Sequence, residues 1–393
     1  MHDVRVYHVQ QPMRVGFGHP AATRTTSESV VLELDISGCV GLGECAPRSY
    51  VTGETCVTVC DALRSLPLAR IIDELLSESP NGVLYRIKRL GIEAAFDFTA
   101  ANNVVCIVEL AILDWIGKRT RVSLDAMLRN GASLAESSAP IKISQVLDQN
   151  LTVDDFLRER GPFHFVKIKA HRDRAKDLET VTEIRRAIGD DTPIVIDANM
   201  SWSLIEAVEH VRKLREAGLT MVEEPFSKRS WTELHELRVQ TGISIMLDES
   251  VSTLDDLRRA IGSDSCDAVN VRVSKCGGGV LRSIEMIELA KSFGIQFQIG
   301  VQVAECGPLI QAGRLLASLH RDAIAVEGGQ ADRFFDSMIV SPDLSFDRAR
   351  STVPPPAGFG LGLSTSTEIS KYLAFGYSRS ADEWTATSHY TEA

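Results

Sequence analysis

Phe163–Lys169 (FHFVKIK), Pro193–Asn199 (PIVIDAN), Thr220–Pro225 (TMVEEP) and Ser244–Ser250 (SIMLDES) are four short apolar runs. The first ends on Lys167 and Lys169, and the other three close on Asp197, Glu223 and Asp248. A helical stretch follows each run, the pattern of repeated βα units in a parallel sheet. If the sheet closes into a barrel, all four strand ends open into one bowl, where barrel active sites lie. Three carboxylates at that mouth repel one another unless a cation sits among them. Oxygen-only ligation suits Mg²⁺, with Mn²⁺ as a close substitute. A lysine beside such a metal is a candidate base, so the runs point to metal-assisted proton transfer.

Working outward, PIKISQV, AVNVRV, IQFQIG and AIAVEGG bring the strand candidates to eight, with helical stretches such as AKDLETVTEIRRAIG between them. The expected fold is α/β, a TIM-like (β/α)7β barrel over residues 135–350. Upstream, VRVYHVQQP, SESVVLELDISG and SGCVGLGECAP read as antiparallel strands, and RVGFGHPAATRTT between the first two reads as a mobile surface loop. A helix follows Thr55. A longer one covers NVVCIVELAILDWIGKR, where Ile107, Leu110, Ala111, Asp114 and Trp115 recur at helical spacing. Residues 1–120 therefore form an α+β capping domain, completed by the turn-rich return 351–393, whose polar end frays.

Composition sets wider bounds. At 393 residues the chain exceeds the usual single core. Its 42 basic and 53 acidic residues give −11, which argues against a nucleic-acid partner. No apolar run reaches about 18 residues and MHDVRVYHVQQ is no signal peptide, so the expectation is a soluble cytoplasmic protein without a membrane partner. The eight cysteines include no CxxC pair and read as reduced thiols.

Strand parity tests the constellation internally. Lys167 and Lys169 are two apart and face the same side. In an outer helix layer both would be buried without partners, which is costly. Facing the mouth, they meet the carboxylates and their cation. A second ammonium and a dication both favour the neutral amine that a base requires.

With these residues in this order, the chain resembles the enolase superfamily, in its muconate-lactonising and dipeptide-epimerase branch. The resemblance is carried by GLGECAP, YVTGET, KIK, DAN, EEP, DES and KCGG, and by spacings of 26 from Asp197 to Glu223 and 25 from Glu223 to Asp248. It implies that Asp197, Glu223 and Asp248 hold Mg²⁺ and that the carboxylate of a small-molecule substrate binds that metal. Lys169 would move the α-proton through a metal-stabilised enolate, Lys167 would tune it, and Asn199 would lie near the base. His19, Arg24 and Tyr50 would belong to the loops that close over substrate, and the chain would form a homo-oligomer.

The sequence departs from the pattern at one point. Counting 24 beyond Asp248, where the branch carries a second lysine, reaches Arg272. Arginine stays protonated at ordinary pH and serves as a fixed cation, not a shuttle. Lys275, offset by three, starts from the opposite strand face; it reaches substrate only if the strand stops by Val273. Glu327 stands alone on AVEGG, where dipeptide epimerases carry an Asp-x-Asp pair, and is a candidate contact to substrate at the barrel mouth. Lys169 alone allows reactions on one face: syn elimination or cycloisomerisation. The alternatives are a racemase or epimerase of an amino-acid derivative, using Lys275 or Arg272 on the second face, and a catalytically retired carboxylate binder.

Overall fold

The computed structural model describes residues 3–19, 22–129, 138–303, 305–344 and 346–387; the side chains of 17–24 lie outside that description. A five-stranded antiparallel sheet runs in the order Glu383–Ala386, Leu373–Ser378, Val4–His19, Ala22–Ile36, Cys39–Cys45. The strands Val4–His19 and Ala22–Ile36 are longer than the sequence suggests. Of RVGFGHPAATRTT, expected as a loop, residues 14–19 and 22–26 instead continue the hairpin strands, with Phe17 opposite Arg24 and His19 opposite Ala22. A polar, glycine-rich ribbon lacks an apolar face, but its backbone ladder and anchors on the parallel unit supply what side-chain burial does not. Asn150 Nδ2 donates to Gly16 O at 2.9 Å, Gln11 Nε2 to Ser337 O at 2.6 Å, and Arg14 to Asp332 O.

The helix Asn102–Thr120 is apolar around its whole circumference, with Asn103–Gly117 buried throughout. Such a helix must be covered on every side. Ile107, Ala111 and Trp115 pack into the core of the antiparallel sheet, while Cys106, Leu110 and Leu113 join the core of the parallel unit. Gly41 and Gly43 let the strand Cys39–Cys45 approach this helix: a Cβ on either would sit 2.1 Å from Ala111 O or 2.0 Å from Ile107 O.

The parallel sheet has eight strands in sequential order: Gln145–Leu147, Val166–Lys169, Ile194–Asp197, Met221–Glu223, Ser244–Leu247, Ala268–Val271, Gln296–Ile299 and Ala325–Val326. A helix separates each consecutive pair, the last being Pro308–Leu319. The sheet is curled, and one backbone hydrogen bond, Ser144 N to Val326 O at 2.8 Å, crosses between its first and last strands. PIKISQV is divided, because Ile141–Lys142 pairs antiparallel with Thr352–Val353 and only Gln145–Leu147 enters the parallel sheet.

Parity decides what each face holds. Phe165, Val195, Met221, Met246, Ala268 and Ala325 form a separate cluster on the inner face, whereas Val166, Ile168, Ile194, Ile196, Val222 and Ile245 join the outer core with the helices. Residues two further along the inner-face strands are Lys167, Asp197, Glu223, Asp248, Asn270 and Glu327. Lys169, Asp197 and Glu223 stand in register across three neighbouring strands. Among the described residues no helix is long and apolar enough to cross a membrane.

Candidate active site

At the carboxyl ends of the parallel strands a cavity of about 930 Å³, its open mouth included, is lined by Tyr50, Lys167, Lys169, Asn199, Asp248, Arg272 and Glu327, among others. A concave space lined by charged and polar groups at these strand ends is where a small molecule would bind. Tyr50 comes from the segment after GLGECAP, so the first unit contributes to the wall.

Asp197 ends the third parallel strand, and the chain then turns sharply: Asn199 has φ +44° and donates its N–H to Asp197 Oδ1 at 3.0 Å. Asparagine tolerates this left-handed conformation. The turn aims Asn199 Oδ1 at Lys169, whose Nζ donates to it at 3.1 Å and to Asp197 Oδ2 at 2.6 Å. Lys167 Nζ donates to Glu223 Oε1 at 2.9 Å and lies 2.9 Å from Asp197 Oδ2 and 3.5 Å from Glu327 Oε1. Burial opposes charge on Lys167, but Asp197, Glu223 and Glu327 outweigh it and hold its pKa well above the ordinary lysine value. Burial likewise opposes charge on Asp197, and Lys167 and Lys169 bring it down to about 2.

On the far wall Arg272 Nε donates to Asp248 Oδ1 at 3.0 Å and Arg272 Nη1 to Gln302 Oε1 at 2.9 Å. Asp248 and Glu249 overcome the burial of this guanidinium and hold its pKa well above the usual value. Glu224 sits behind, accepting the Asp248 N–H at 2.8 Å and the Ser250 N–H at 3.2 Å, so it fixes the backbone carrying Asp248.

Lys275 behaves differently from its strand-parity expectation. The strand ends at Val271, and Arg272 O accepts the N–H groups of Lys275 and Cys276 in a turn. Lys275 therefore swings under Asp248, donating to Asp248 O (2.6 Å), Asp248 Oδ1 (2.9 Å) and Asn270 O (2.7 Å). All three ammonium protons are engaged and the residue is fully buried, behind the cavity wall. In this arrangement Lys275 is not among the residues that line the cavity, although the strand stops before Val273. His19 and Arg24 have paired backbones in the hairpin, but their side chains lie outside the described residues.

Sequence reasoning passed over Asn270, Gln302, Glu305 and Arg333, which also line the cavity. Asn270 was within reach, since it shares strand parity with Arg272, and its Nδ2 donates to Glu223 Oε1 at 3.0 Å. The other three follow the seventh and eighth strands, where no periodicity marks them.

The donor set can be tested against a divalent cation. Among the described residues no three acidic, histidine or cysteine side chains converge as a ready ligand set, because ammonium and guanidinium groups hold the carboxylate oxygens. The charges nevertheless leave room for one. Asp197, Glu223, Asp248, Glu249, Glu224 and Glu327 number six against the four cations Lys167, Lys169, Arg272 and Lys275. Burial, aided by the Asp197 charge, pushes Glu223 up to about 8, and burial beside Asp248 raises Glu249. Glu223 Oε2 lies 2.8 Å from Lys167 Nζ yet makes no well-aligned hydrogen bond, and buried Glu249 Oε2 has none either. A carboxylate-rich, oxygen-only cluster with underused oxygens matches the preference of Mg²⁺.

Residues 152–369 match the family described as Enolase C-terminal domain-like, 218 of the 393 residues. The L-Ala-D/L-Glu epimerase of Bacillus subtilis (strain 168) is 26% identical over 297 residues, 74% of this chain and 78% of that protein. The o-succinylbenzoate synthase of the same organism is 24% identical over 371 residues, 92% of this chain and 94% of that protein. A dipeptide epimerase from Enterococcus faecalis V583, solved in complex with Mg and the dipeptide L-Leu-L-Tyr, superposes with a TM-score of 0.79 at 22% identity, over 93% of this chain and 100% of its own. With eight parallel strands, an attached antiparallel sheet and this family match, the chain belongs to the Enolase C-terminal domain-like family of the enolase superfamily.

Proposed function

We propose that the protein is a Mg²⁺-dependent enzyme that moves the α-proton of a small carboxylate substrate on one face only, in a syn elimination or a cycloisomerisation. Asp197, Glu223 and Asp248 would hold the metal, which, when bound, would offset negative charge growing on the substrate carboxylate. Lys169 carries the proton to and from the α-carbon, and Asn199 with Asp197 orients its Nζ. Lys167, pinned among Asp197, Glu223 and Glu327, supplies fixed positive charge beneath the substrate. Residues 1–120 with 351–393 cap a barrel over 135–350, a division supported by the hairpin's anchors on Asn150, Asp332 and Ser337.

The observation that carries the one-face reading is the state of the opposite wall. Arg272 is held by Asp248 and Gln302 and keeps its proton, and Lys275 has no free ammonium proton or route into the cavity. An epimerase needs an acid–base group on each face of the carbanion, and this wall offers a fixed charge instead.

A screen of carboxylates with Mg²⁺ in D₂O, followed by NMR, tests the proposal. Solvent deuterium entering the α-position, or loss of a leaving group, is expected and should stop in chelator. Turnover unaffected by chelator, or no exchange with any carboxylate, would remove it.

A further inference from the structure

A hydrogen-bond relay outside the cavity joins two of its walls. Tyr50 stands in the short helix Ser49–Thr52 of the first unit, and Arg272 opens the turn that follows the sixth parallel strand. Between them lies Asn103, fully buried at the start of the helix Asn102–Thr120. Its Nδ2 donates to Thr52 Oγ1 at 3.0 Å and to Glu54 Oε2 at 2.6 Å, and its backbone N–H donates to Glu54 Oε1 at 3.0 Å. Its Oδ1 accepts from Ser274 Oγ at 2.6 Å, and that hydroxyl in turn accepts the Ala46 N–H at 3.2 Å. Asn102 Nδ2 adds a bond to Lys275 O at 2.9 Å. The carboxamide has one workable orientation, because its oxygen could not face the Glu54 carboxylate. Both amide protons, the amide oxygen and the Ser274 hydroxyl are engaged, so cutting the relay at any point strands a buried polar group.

We infer that Asn103 is a positioning residue whose carboxamide sets the Tyr50 segment and the Arg272 turn against each other, so that the two walls hold or loosen as one. The inference rests on the proposed function for what those walls do: Arg272 supplies the fixed charge, and Tyr50 closes the cavity beside the substrate. Substrate seated under Tyr50 would thereby stiffen the Arg272 wall, and such coupling must be reciprocal. Lys228 offers an internal contrast. From the loop after the fourth parallel strand its Nζ donates to Val51 O at 2.9 Å, holding the same segment through a separate bond.

Amide hydrogen exchange of the full chain in chelator, read by mass spectrometry, tests this without substrate. Ser274→Ala, a cut on the parallel unit, should speed exchange in residues 49–54 by about three- to tenfold. Thr52→Val, a cut on the first unit, should do the same in residues 272–277. Thr52→Ser, which keeps the hydroxyl, should leave 272–277 as in the unmodified chain. Lys228→Met should loosen 49–54 and spare 272–277. Asn103→Asp, which sets a carboxylate beside Glu54, should loosen both segments, and the Thr52 and Ser274 variants decide the matter if it does not fold. Loosening confined to the side that was cut, or lost protection of 272–277 in Thr52→Ser or Lys228→Met, would overturn the inference and leave Asn103 a local structural contact. Failure of the proposed function would show instead as a D₂O screen without metal-dependent exchange, so the two failures are distinguishable.

Discussion

Glu109→Gln should change how stability depends on pH, and the structure sets both sign and size. Glu109 lies on the buried helix Asn102–Thr120, and its carboxyl accepts the Leu281 N–H at 3.1 Å, at the start of the helix Val280–Ser292. That contact ties the first unit to the segment carrying Arg272 and Lys275. Gly279 has φ +117°, and a Cβ there would lie 2.3 Å from Glu109 Oε1, so only glycine admits the carboxyl. Burial is the main influence on Glu109 and pushes its pKa from 4.5 to about 7, against the backbone N–H groups of Leu281 and Val280. The folded protein therefore retains a proton that the unfolded chain releases. The associated stability is fully present below about pH 4.5 and is lost as pH rises through about 7. A difference of about 2.5 pH units at ~1.4 kcal/mol each gives an upper value of about 3.5 kcal/mol. Relative to the unmodified chain, Glu109→Gln should gain up to about 3 kcal/mol between pH 5 and pH 8, because glutamine carries no charge to bury. Urea unfolding of both proteins in chelator at pH 5, 6, 7 and 8 reads that difference, since all other titrations cancel. A difference constant with pH to within about 0.5 kcal/mol would refute the reasoning.

Three further outcomes follow from the same geometry. Lys169→Ala should lower α-proton exchange by about 10²–10⁴-fold while metal binding, read by calorimetry, stays near intact. Asp248→Asn should cost most of the activity and weaken Mg²⁺ binding; full activity in this variant would remove Asp248 from the metal site. Gly43→Ala forces a methyl against Ile107 O, 2.0 Å away, and should destabilise the protein by about 1–3 kcal/mol, read as a lower Tm at unchanged catalytic-site chemistry.

Much of this architecture was legible because its signals are periodic. The parallel strands announce themselves as apolar runs, and alternation along them predicts that Lys167, Lys169, Asp197 and Glu223 share the inner face. The hairpin strands at residues 14–19 and 22–26 were not legible, because polar and glycine-rich strands held by backbone pairing and a few anchors carry no hydrophobic alternation. Lys275 misled by parity, which holds only while a strand persists, and this strand stops at Val271. Glu44 and Glu109 show a signal that was passed over: acids inside apolar stretches must be satisfied when buried. Glu44 accepts the N–H groups of Cys306, Gly307 and Leu309 at 2.7–3.0 Å, at the start of the helix Pro308–Leu319. Gln302, Glu305 and Arg333 sit after strands on loops or a one-turn helix, where position depends on tertiary contacts that no local pattern encodes.

The most direct test of single-face proton transfer is the stereochemistry of deuterium incorporation by the unmodified enzyme, with Mg²⁺ in D₂O, on whichever carboxylate the screen identifies. With Lys169 on one side and the fixed Arg272 charge on the other, the deuteron should arrive on one face with configuration retained, and Lys169→Ala should abolish it. Efficient inversion at the α-carbon, with a solvent-derived deuteron on the new face, would contradict the account and turn attention to Lys275.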